Sequence, residues 1–284
     1  MLAVIGGSGT YDLMETGTSE ILPETPFGSP SGPVRKGRIG ATDVLFLARH
    51  GAGHIYSPSS VPYRANVFAL KELGASHLLS LSAVGSLREE LPPRTLVIPD
   101  QIIDRTVSRS RTFFEFGAVA HVGIADPFCS QFSDTVGDAA DAVHRDVRRG
   151  GTYICIEGPQ FSTRAESNLY RSWGASVIGM TAMPEARLAR EAGLCYAMLA
   201  MVTDYDVWHD AEADVSVDVV ASNLQANSEA AREIVLDLAE SALAERTCGC
   251  KSALKHAIMT APDEIPAEAG KWLRVLAEDL PSAD

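Results

Sequence analysis

The sequence predicts an α/β fold, because short apolar runs of strand length alternate along the chain with longer amphipathic segments. Polar or glycine-rich residues also follow several of the apolar runs. Open α/β sheets bind their ligands at such strand ends. No internal repeat or low-complexity tract interrupts this pattern in the sequence. The order of the segments therefore favours an α/β sheet over a helix bundle or a β-sandwich.

The apolar runs and their flanking residues predict the individual elements. We expect strands at residues 2–5, 44–48, 77–82, 96–99, 153–156, 177–178 and 194–202. We expect helices at residues 66–73, 135–148, 164–173, 184–192 and 216–244, and two shorter ones at 252–259 and 267–278. Residues 23–33, rich in Pro, Gly and Ser, are typical of a surface loop. We predict a catalytic domain at residues 1–245 and a C-terminal helical extension of the same domain at 246–284.

The composition restricts the cellular setting. Apolar residues make up 46% of the chain, which is enough for a substantial core. The formal net charge of -13 disfavours nucleic acid and anionic membranes as partners, because both are bound by surfaces rich in Lys and Arg. The N-terminal residues form a strand pattern, not a signal peptide, and no run predicts a membrane span. We therefore expect a cytoplasmic protein that holds any anionic ligand in a local site.

The five cysteines are an odd number, and their spacing carries little information. Cys129, Cys155 and Cys195 lack metal-ligand spacing. Cys248 and Cys250 are close enough to form a strained local disulfide or half of a metal site. No second cysteine or histidine pair completes a zinc set in the sequence, so we expect no bound metal and a structural or redox-labile pair remote from the chemistry.

The junction after the apolar run 194–202 is the most informative feature of the chain. Asp204 and Asp206 follow the run at strand spacing, so a continuing strand would direct both carboxylates into the same ligand site. Burial and the charge of its neighbour would keep one of them protonated as a general acid. The alternative is that Asp204 caps a helix that begins at Tyr205.

Other predicted strand ends carry groups that bind anions. Glycines allow backbone N–H groups to approach an oxyanion, and hydroxyl, imidazole and guanidinium groups add donors. Each turn also has a simpler explanation, as a tight strand turn or as an ordinary surface Arg and His. The anion-binding candidates are Ser8 in the Gly-Gly-Ser-Gly turn 6–9, Arg49, His50, Ser82, Ala83 and Thr181.

Two further side chains are suited to a flat ligand. Phe161 follows a Gly-Pro turn and can stack on a base, and Met180 is soft enough to lie against a sugar face. A methionine in this context is more often part of the core, and that reading stays open.

Together these motifs resemble the purine nucleoside phosphorylase superfamily and, within it, the methylthioadenosine phosphorylases. The resemblance extends over nearly the whole chain and rests on segments 5–9, 48–51, 82–89, 100–106, 157–162, 179–181 and 203–206. It implies a mixed, distorted central sheet flanked by helices and a homotrimer or dimer of trimers. Residues 248–258 look like the C-terminal extension of some microbial members.

The resemblance also implies a role for each candidate. It assigns inorganic phosphate to Ser8, Arg49, His50, Ser82, Ala83 and Thr181, and the ribose to Met180. It assigns the purine to Phe161, Ser162, Thr203, Asp204 and Asp206. It assigns the 5′ end to Val217, Val220 and His121, the last lent by a neighbouring subunit. At Ala221 the human-type members carry a larger aliphatic residue, so the 5′ substituent is the least determined part.

The implied reaction is phosphorolysis, in which phosphate attacks C1′ and the purine leaves with the help of Asp204. Phosphate is then a co-substrate, and no metal or organic cofactor is expected. The family's guanosine and inosine enzymes carry Glu in place of Ser162 and Asn in place of Asp204. A carboxylate accepts a hydrogen bond from the 6-amino group of adenine but opposes a 6-oxo group, so we expect adenine.

The expected substrate is 5′-methylthioadenosine, because Val217, Val220 and Ala221 form an apolar lining. Other candidates are a 5′-deoxy or 5′-halogenated adenosine and a general purine nucleoside. A hydrolytic nucleosidase would make little use of the anion-binding residues, and a noncatalytic nucleoside-binding protein would not need them. A Rossmann oxidoreductase is disfavoured, because the first glycine turn lacks the dinucleotide spacing.

Overall fold

The computed structural model describes residues 1–7, 18–209, 217–241 and 243–277, and for residues 217–222 it describes the backbone alone. The strands are β1 (Leu2–Gly6), β2 (Ser19–Ile21), β3 (Val34–Ile39), β4 (Thr42–Ala48), β5 (His77–Ser86), β6 (Leu96–Ile98), β7 (Gln101–Asp104), β8 (Val147–Arg149), β9 (Thr152–Cys155), β10 (Ala175–Gly179) and β11 (Cys195–Asp204). The α-helices are α1 (Tyr63–Glu72), α2 (Ser130–Ala142), α3 (Arg164–Ser172), α4 (Ala182–Glu191), α5 (Val217–Glu240) and α6 (Ala267–Leu276).

All the strands join one mixed sheet, as the resemblance implied. Its main order is β2-β3-β4-β1-β5-β10-β9-β7, and β11 lies along the other edge of β5, followed by β6 and β8. Strands β4, β1, β5 and β11 run parallel, so their C-terminal ends meet at one edge of the sheet. The predicted α/β fold is confirmed, and this shared edge is where the polar strand ends converge.

Strand β5 changes partners halfway along one edge. β1 pairs with it as far as Ser80, whereas β10 joins it antiparallel only at Gly85 and Ser86. Within the described part of the chain, residues 81–84 therefore have no strand on that edge. Backbone amides left open in this way are available to a ligand.

Strand β11 is buried along its whole length and is apolar from Cys195 to Val202, as is typical of a strand covered on both faces. Tyr196 and Met198 pack into the core that contains α1, α4 and α6. Cys195 and Ala197 face the opposite core, which contains α2 and α5. The helices thus cover both sides of the sheet. Among the described residues, no helix combines the length and the apolar character needed to cross a membrane.

Some predicted elements were wrong in detail. The helix predicted at 135–148 is α2 and ends at Ala142, because residues 147–149 instead pair with β6 as strand β8. The helix predicted at 252–259 is a 3-10 turn (Gly249–Ser252) followed by irregular turns, and Ile258 pairs with Ala120. These residues follow tertiary pairings that helical periodicity does not register. The short strands β2, β3, β7 and β8 were missed for the same reason.

The C-terminal segment packs against the rest of the fold. Trp272 on α6 lies with its ring centroid 5.8 Å from that of Phe27 and 5.5 Å from that of Phe114. At the other end of the segment, Arg246 Nη1 donates hydrogen bonds to the carbonyl oxygens of Ser76 and Gly193. Aromatic packing and backbone contacts thus hold both ends of residues 246–277.

We propose that this extension and the sheet unfold as a single unit. Trp272→Ala should then destabilise the whole protein by about 3–5 kcal/mol, because it empties a buried aromatic site. Trp173→Ala is the matched control: Trp173 is 44% exposed, so its loss should cost less than about 1 kcal/mol. Urea unfolding followed by fluorescence and circular dichroism measures both. Two separate transitions in the wild-type protein would contradict a single unit.

Candidate active site

A cavity of about 240 Å³ opens at the edge of the sheet where the parallel strands end. Most of the residues proposed from the sequence line it, although they come from five separate stretches of the chain. Those residues are Arg49, His50, Ser82, Ala83, Phe161, Met180, Thr181, Thr203, Asp204 and Asp206. The structure therefore brings the proposed anion-binding groups and the paired aspartates to one cavity.

Two other proposed residues whose side chains are described, Ser162 and His121, are not in the cavity lining. Ser8 lies outside the described residues, as do the side chains of Val217, Val220 and Ala221. His121 is exposed, and its backbone N–H donates to the carbonyl oxygen of Ala257.

Arg49 is buried at the end of β4 and forms an ion pair with Glu185 at 2.9 Å, each side chain being 1% exposed. Burial opposes its charge, but the Glu185 carboxylate outweighs burial and raises the pKa of Arg49. Nη2 donates to Ser80 Oγ at 2.8 Å, and Nη1 donates to the Leu81 carbonyl at 3.0 Å. In the described part of the chain, the second N–H of Nη1 is the one left for a ligand. The guanidinium fork expected to face an anion therefore faces Glu185.

His50 is an uncharged member of the cavity wall. Its Nδ1 lies 2.8 Å from the carbonyl oxygen of Tyr56, which can only accept, so Nδ1 carries the proton and Nε2 is an acceptor. Burial and the charge of Arg49 lower the pKa of His50 to about 4. The ring stacks on His54 with centroids 4.1 Å apart, which fixes its orientation.

Two hydroxyls stand side by side in the wall. Ser82 Oγ and Thr181 Oγ1 are 3.2 Å apart and buried. The backbone N–H of Thr181 lies 3.4 Å from the hydroxyl of Tyr153, and a Cβ at Gly179 would lie 2.0 Å from that hydroxyl. Glycine is therefore required before Met180 for this turn to close. Ala83 lies on the stretch of β5 that has no described strand along one edge, so its backbone is available on that edge at this wall.

Asp204 ends β11 next to a register shift between Val202 and Asp204. Such an irregularity re-aims a strand end, as is common beside active sites. Its Oδ2 accepts from Thr203 Oγ1 at 2.6 Å, and its Oδ1 accepts from the backbone N–H of Asp206 at 2.8 Å. Burial raises the pKa of Asp204 above its ordinary value, although these two bonds oppose the shift.

Asp206 lies beyond the strand in a turn, with φ at 53°. The turn is closed by the Asp204 side chain, so the alternative of a helix cap at Asp204 is wrong. Asp206 Oδ2 is buried without a partner in the described part of the chain. Burial raises the pKa of Asp206 to about 6. A buried acceptor left open at a cavity wall is suited to a ligand donor.

The loop that carries Phe161 and Ser162 is fixed by hydrogen bonds of Arg109 and Glu157. Arg109 is buried and donates to the carbonyl oxygens of Glu157 and Met180, both at 2.7 Å. Glu157 accepts from Ser59 and from two groups at residues 107–108, and these bonds overcome burial and lower its pKa to about 2. Phe161 is 49% exposed at the mouth, and Ser162 Oγ is buried without a partner among the described residues.

Several structural residues of the site were not identified from the sequence. The sequence pattern places Glu185 only within the helix predicted at residues 184–192, yet it is the counter-ion of Arg49. Arg109, Tyr153 and His54 had not been noted at all. None of them belongs to a motif that signals a ligand, and Glu185, Arg109 and Tyr153 make their contacts with residues distant in sequence, so periodicity could not reveal them.

The cavity does not offer a metal site. Within residues 1–7, 18–209, 217–241 and 243–277, four cysteines elsewhere in the fold are the one group of three or more His, Cys, Asp or Glu side chains close enough to share an ion.

Comparison with known proteins identifies the family to which this chain belongs. The family model described as the phosphorylase superfamily matches residues 1–240. An S-methyl-5′-thioadenosine phosphorylase of Geobacter sulfurreducens is 49% identical over 97% of both chains, and one of Cereibacter sphaeroides is 50% identical over 92% of both. A solved methylthioadenosine phosphorylase from an Antarctic soil metagenomic library superposes with a TM-score of 0.90 at 46% identity, covering 99% of this chain and 98% of that one.

A more distant structure carries a ligand. The methylthioadenosine phosphorylase of Schistosoma mansoni, solved with adenine, has a TM-score of 0.85 at 36% identity and covers 91% of this chain and 98% of its own. The present chain therefore belongs to the phosphorylase superfamily. Within it, the chain is a member of the S-methyl-5′-thioadenosine phosphorylase family, and it is a pentosyltransferase.

The raised pKa of Asp206 makes a prediction about stability. The folded protein binds this proton more tightly than the unfolded chain, whose carboxyl has the ordinary value of 3.8. The resulting stabilisation is complete below about pH 4 and is lost as pH rises through about 6. Asp206→Asn removes this titration. Between pH 5 and 7.5, the free energy of unfolding of the variant should therefore rise by about 1 kcal/mol relative to wild type.

Urea unfolding of both proteins at the two pH values measures this difference. Asp134→Asn, at an exposed position on α2, is the matched control and should follow wild type. A difference between Asp206→Asn and wild type that does not change with pH would contradict the raised pKa.

Proposed function

We propose that this enzyme cleaves 5′-methylthioadenosine with inorganic phosphate, giving adenine and 5-methylthioribose 1-phosphate. The observation that carries the proposal is a single cavity with anion-binding groups on one wall and a pair of buried carboxylates on another. Phosphorolysis requires both, because a dianion must be held beside the sugar while the departing base receives a proton.

The phosphate wall supplies donors of different kinds. Ser82 and Thr181 offer hydroxyls, Arg49 offers the remaining N–H of Nη1, and Ala83 offers its backbone N–H. His50 adds an acceptor at Nε2, which suits the P–OH of hydrogen phosphate. By the resemblance, Ser8 completes the set. Donors and one acceptor together match the monoprotonated dianion better than they match water.

The dianion acts in two ways. One phosphate oxygen attacks C1′ as the bond from C1′ to the purine nitrogen breaks, so the phosphate takes the place of the base on the sugar. The transition state has oxocarbenium character, and the dianion beside it stabilises the developing positive charge. We assign Met180, which lines the same cavity, to the apolar contact with the ribose.

The carboxylates act on the base. The departing purine gathers negative charge, and a protonated Asp204 donates to N7 and neutralises it. Burial favours that protonated form by raising the pKa. We assign the 6-amino group to a carboxyl oxygen of Asp204 and to the open Oδ2 of Asp206, with Phe161 stacked on the ring and Ser162 and Thr203 beside it. A 6-oxopurine would place an acceptor against this acceptor.

For the 5′ end we propose an apolar pocket formed by Val217 and Val220, beside the small Ala221. His121 is exposed on its own subunit, which agrees with its proposed place in the pocket of a neighbouring one. The enzyme would therefore act as a homotrimer or a dimer of trimers. We further propose that it works in the cytoplasm, without a cofactor, in purine and methionine salvage.

The first experiment is incubation of the purified protein with methylthioadenosine, with and without phosphate. Adenine and methylthioribose 1-phosphate should appear together and only with phosphate. Adenine release that ignores phosphate would identify a nucleosidase. No release from this nucleoside, from adenosine or from 5′-halogenated adenosines would leave a binding protein. Adenosine is included because a Schistosoma mansoni relative is described as an adenosine/methylthioadenosine phosphorylase.

The assignment of Asp204 predicts a change in base preference. Asp204→Asn should lower kcat/KM for methylthioadenosine by about tenfold to hundredfold, because the amide cannot give N7 a carboxyl proton. The loss should be smaller for 5′-methylthioinosine, whose 6-oxo group can accept from an amide. Steady-state kinetics on both nucleosides measures the ratio.

Asp134→Asn serves as the control here too, since this exposed side chain lies on α2 and not in the cavity lining. An Asp204→Asn variant that kept the wild-type ratio between the two nucleosides would show that Asp204 does not select the base.

A further inference from the structure

Four of the five cysteines meet in the fold. Cys129 is the N-cap of α2, Cys195 is the first residue of β11, and Cys248 and Cys250 flank Gly249 in the C-terminal segment. Their four sulfur atoms all lie within 4.8 Å of one another, and those of Cys195 and Cys248 are 3.3 Å apart. The sequence had shown only half of a metal site, because the other half comes from two distant elements.

We propose that these four cysteines bind one zinc ion as a structural tetrathiolate site. In such a site each sulfur lies about 2.3 Å from the metal, which places tetrahedral sulfurs about 3.8 Å apart. The separation of 3.3 Å between the sulfurs of Cys195 and Cys248 and the upper bound of 4.8 Å for all pairs lie on either side of that value. Shifts below about 1 Å would complete the tetrahedron.

A neighbouring arginine supports sulfur atoms that carry charge. Arg190 Nη1 donates to Cys250 Sγ at 3.5 Å. A partner of this kind orients a metal ligand and offsets the charge of a tetrathiolate.

The turn that carries Cys248 is also anchored. Gln131 Oε1 accepts from the backbone N–H groups of Thr247 and Cys248, at 3.0 and 3.1 Å. Gln131 Nε2 donates to the carbonyl oxygen of Glu245 at 2.8 Å. One side chain of α2 thus holds the approach to the cysteine pair next to Cys129.

Zinc uses all four sulfurs at once, whereas a disulfide joins two of them. Binding one Zn²⁺ to four thiols releases four protons and leaves a complex of charge −2, so no oxidant is needed. Three of the cysteines are buried, which limits access of water to the cluster. Four protein ligands leave no open position for a substrate, so the ion would be structural.

The site would act at the end of β11 opposite the cavity. β11 has 10 residues, so Cys195 and Asp204 are separated by about 30 Å of strand. The cluster fastens the start of the C-terminal segment to β11 and α2. Farther along, that segment bonds to the loop of His121, through the Ala257 carbonyl at 2.8 Å. Loss of the ion should therefore loosen this segment and its loop first.

The experiment measures metal in the native, full-length protein. Protein purified without chelator and then dialysed against a weak chelator should retain about one zinc ion per chain. Elemental mass spectrometry measures this content. Cys195→Ala and Cys250→Ala should each lose most of it. Cys155→Ala is the matched control, because Cys155 is buried but outside the cluster, and it should keep its zinc.

A second measurement does not depend on the variants folding. Titration of the wild-type protein with a mercurial reagent should release zinc to a colorimetric indicator as the cluster thiols react. Replacement of zinc by Co²⁺ should give the intense thiolate-to-cobalt absorption of a tetrahedral site. Neither readout uses catalysis, so this proposal and the proposed function can fail separately.

Three results would overturn the proposal. The site would be excluded if the wild-type protein held no metal tightly. This holds whether mass spectrometry finds the four thiols free or paired in disulfides. Zinc lost in the dialysis would be adventitious. Iron in place of zinc would show a tetrathiolate site of different identity.

Discussion

The buried ion pair of Arg49 and Glu185 is the interaction on which the rest of the site depends. The pair joins the end of β4 to α4. It is also bonded to two further strands: Arg49 donates to Ser80 and Leu81 of β5. The hydroxyl of Tyr196, on β11, donates to Glu185 at 3.0 Å. Removing one partner of such a pair costs about 3–5 kcal/mol, since an uncompensated charge remains in the interior. The strand ends are therefore held at set distances before any ligand arrives, which is the pre-organisation that electrostatic catalysis needs.

Burial also shifts the pKa values of the other titratable groups of the cavity. Burial keeps His50 neutral at pH 7 by lowering its pKa to about 4, and it raises the pKa of Asp206 to about 6 and that of Asp204 above its ordinary value. In our proposal, phosphate then brings the dominant negative charge to the wall where Arg49 stands. The same desolvation favours a protonated carboxyl over a carboxylate at the wall of the two aspartates, because it penalises a charge that lacks a partner.

Strand β11 connects the two chemically distinct ends of the molecule. Its central residues are buried on both faces and pair with β5 along nearly their whole length, so the strand is a rigid spacer. Asp204 ends it at the cavity, and Cys195 begins it at the sulfur cluster. The proposed chemistry and the proposed metal therefore lie at opposite ends of this strand. This separation allows a C-terminal segment to be fastened without disturbing the groups that face the nucleoside.

The sequence by itself determined the α/β class, the principal strands and which strand ends carry polar groups, because period, apolar runs and turn residues are local properties. It also indicated that Asp204 and Asp206 belong to a ligand site. Tertiary structure decided that Asp206 lies in a turn beyond the strand, that the fork of Arg49 faces Glu185, and that Cys129 meets cysteines far away in the chain. Each of these outcomes rests on contacts between distant segments. A contact partner from a distant segment produces no periodic pattern in the sequence around the residue that it contacts.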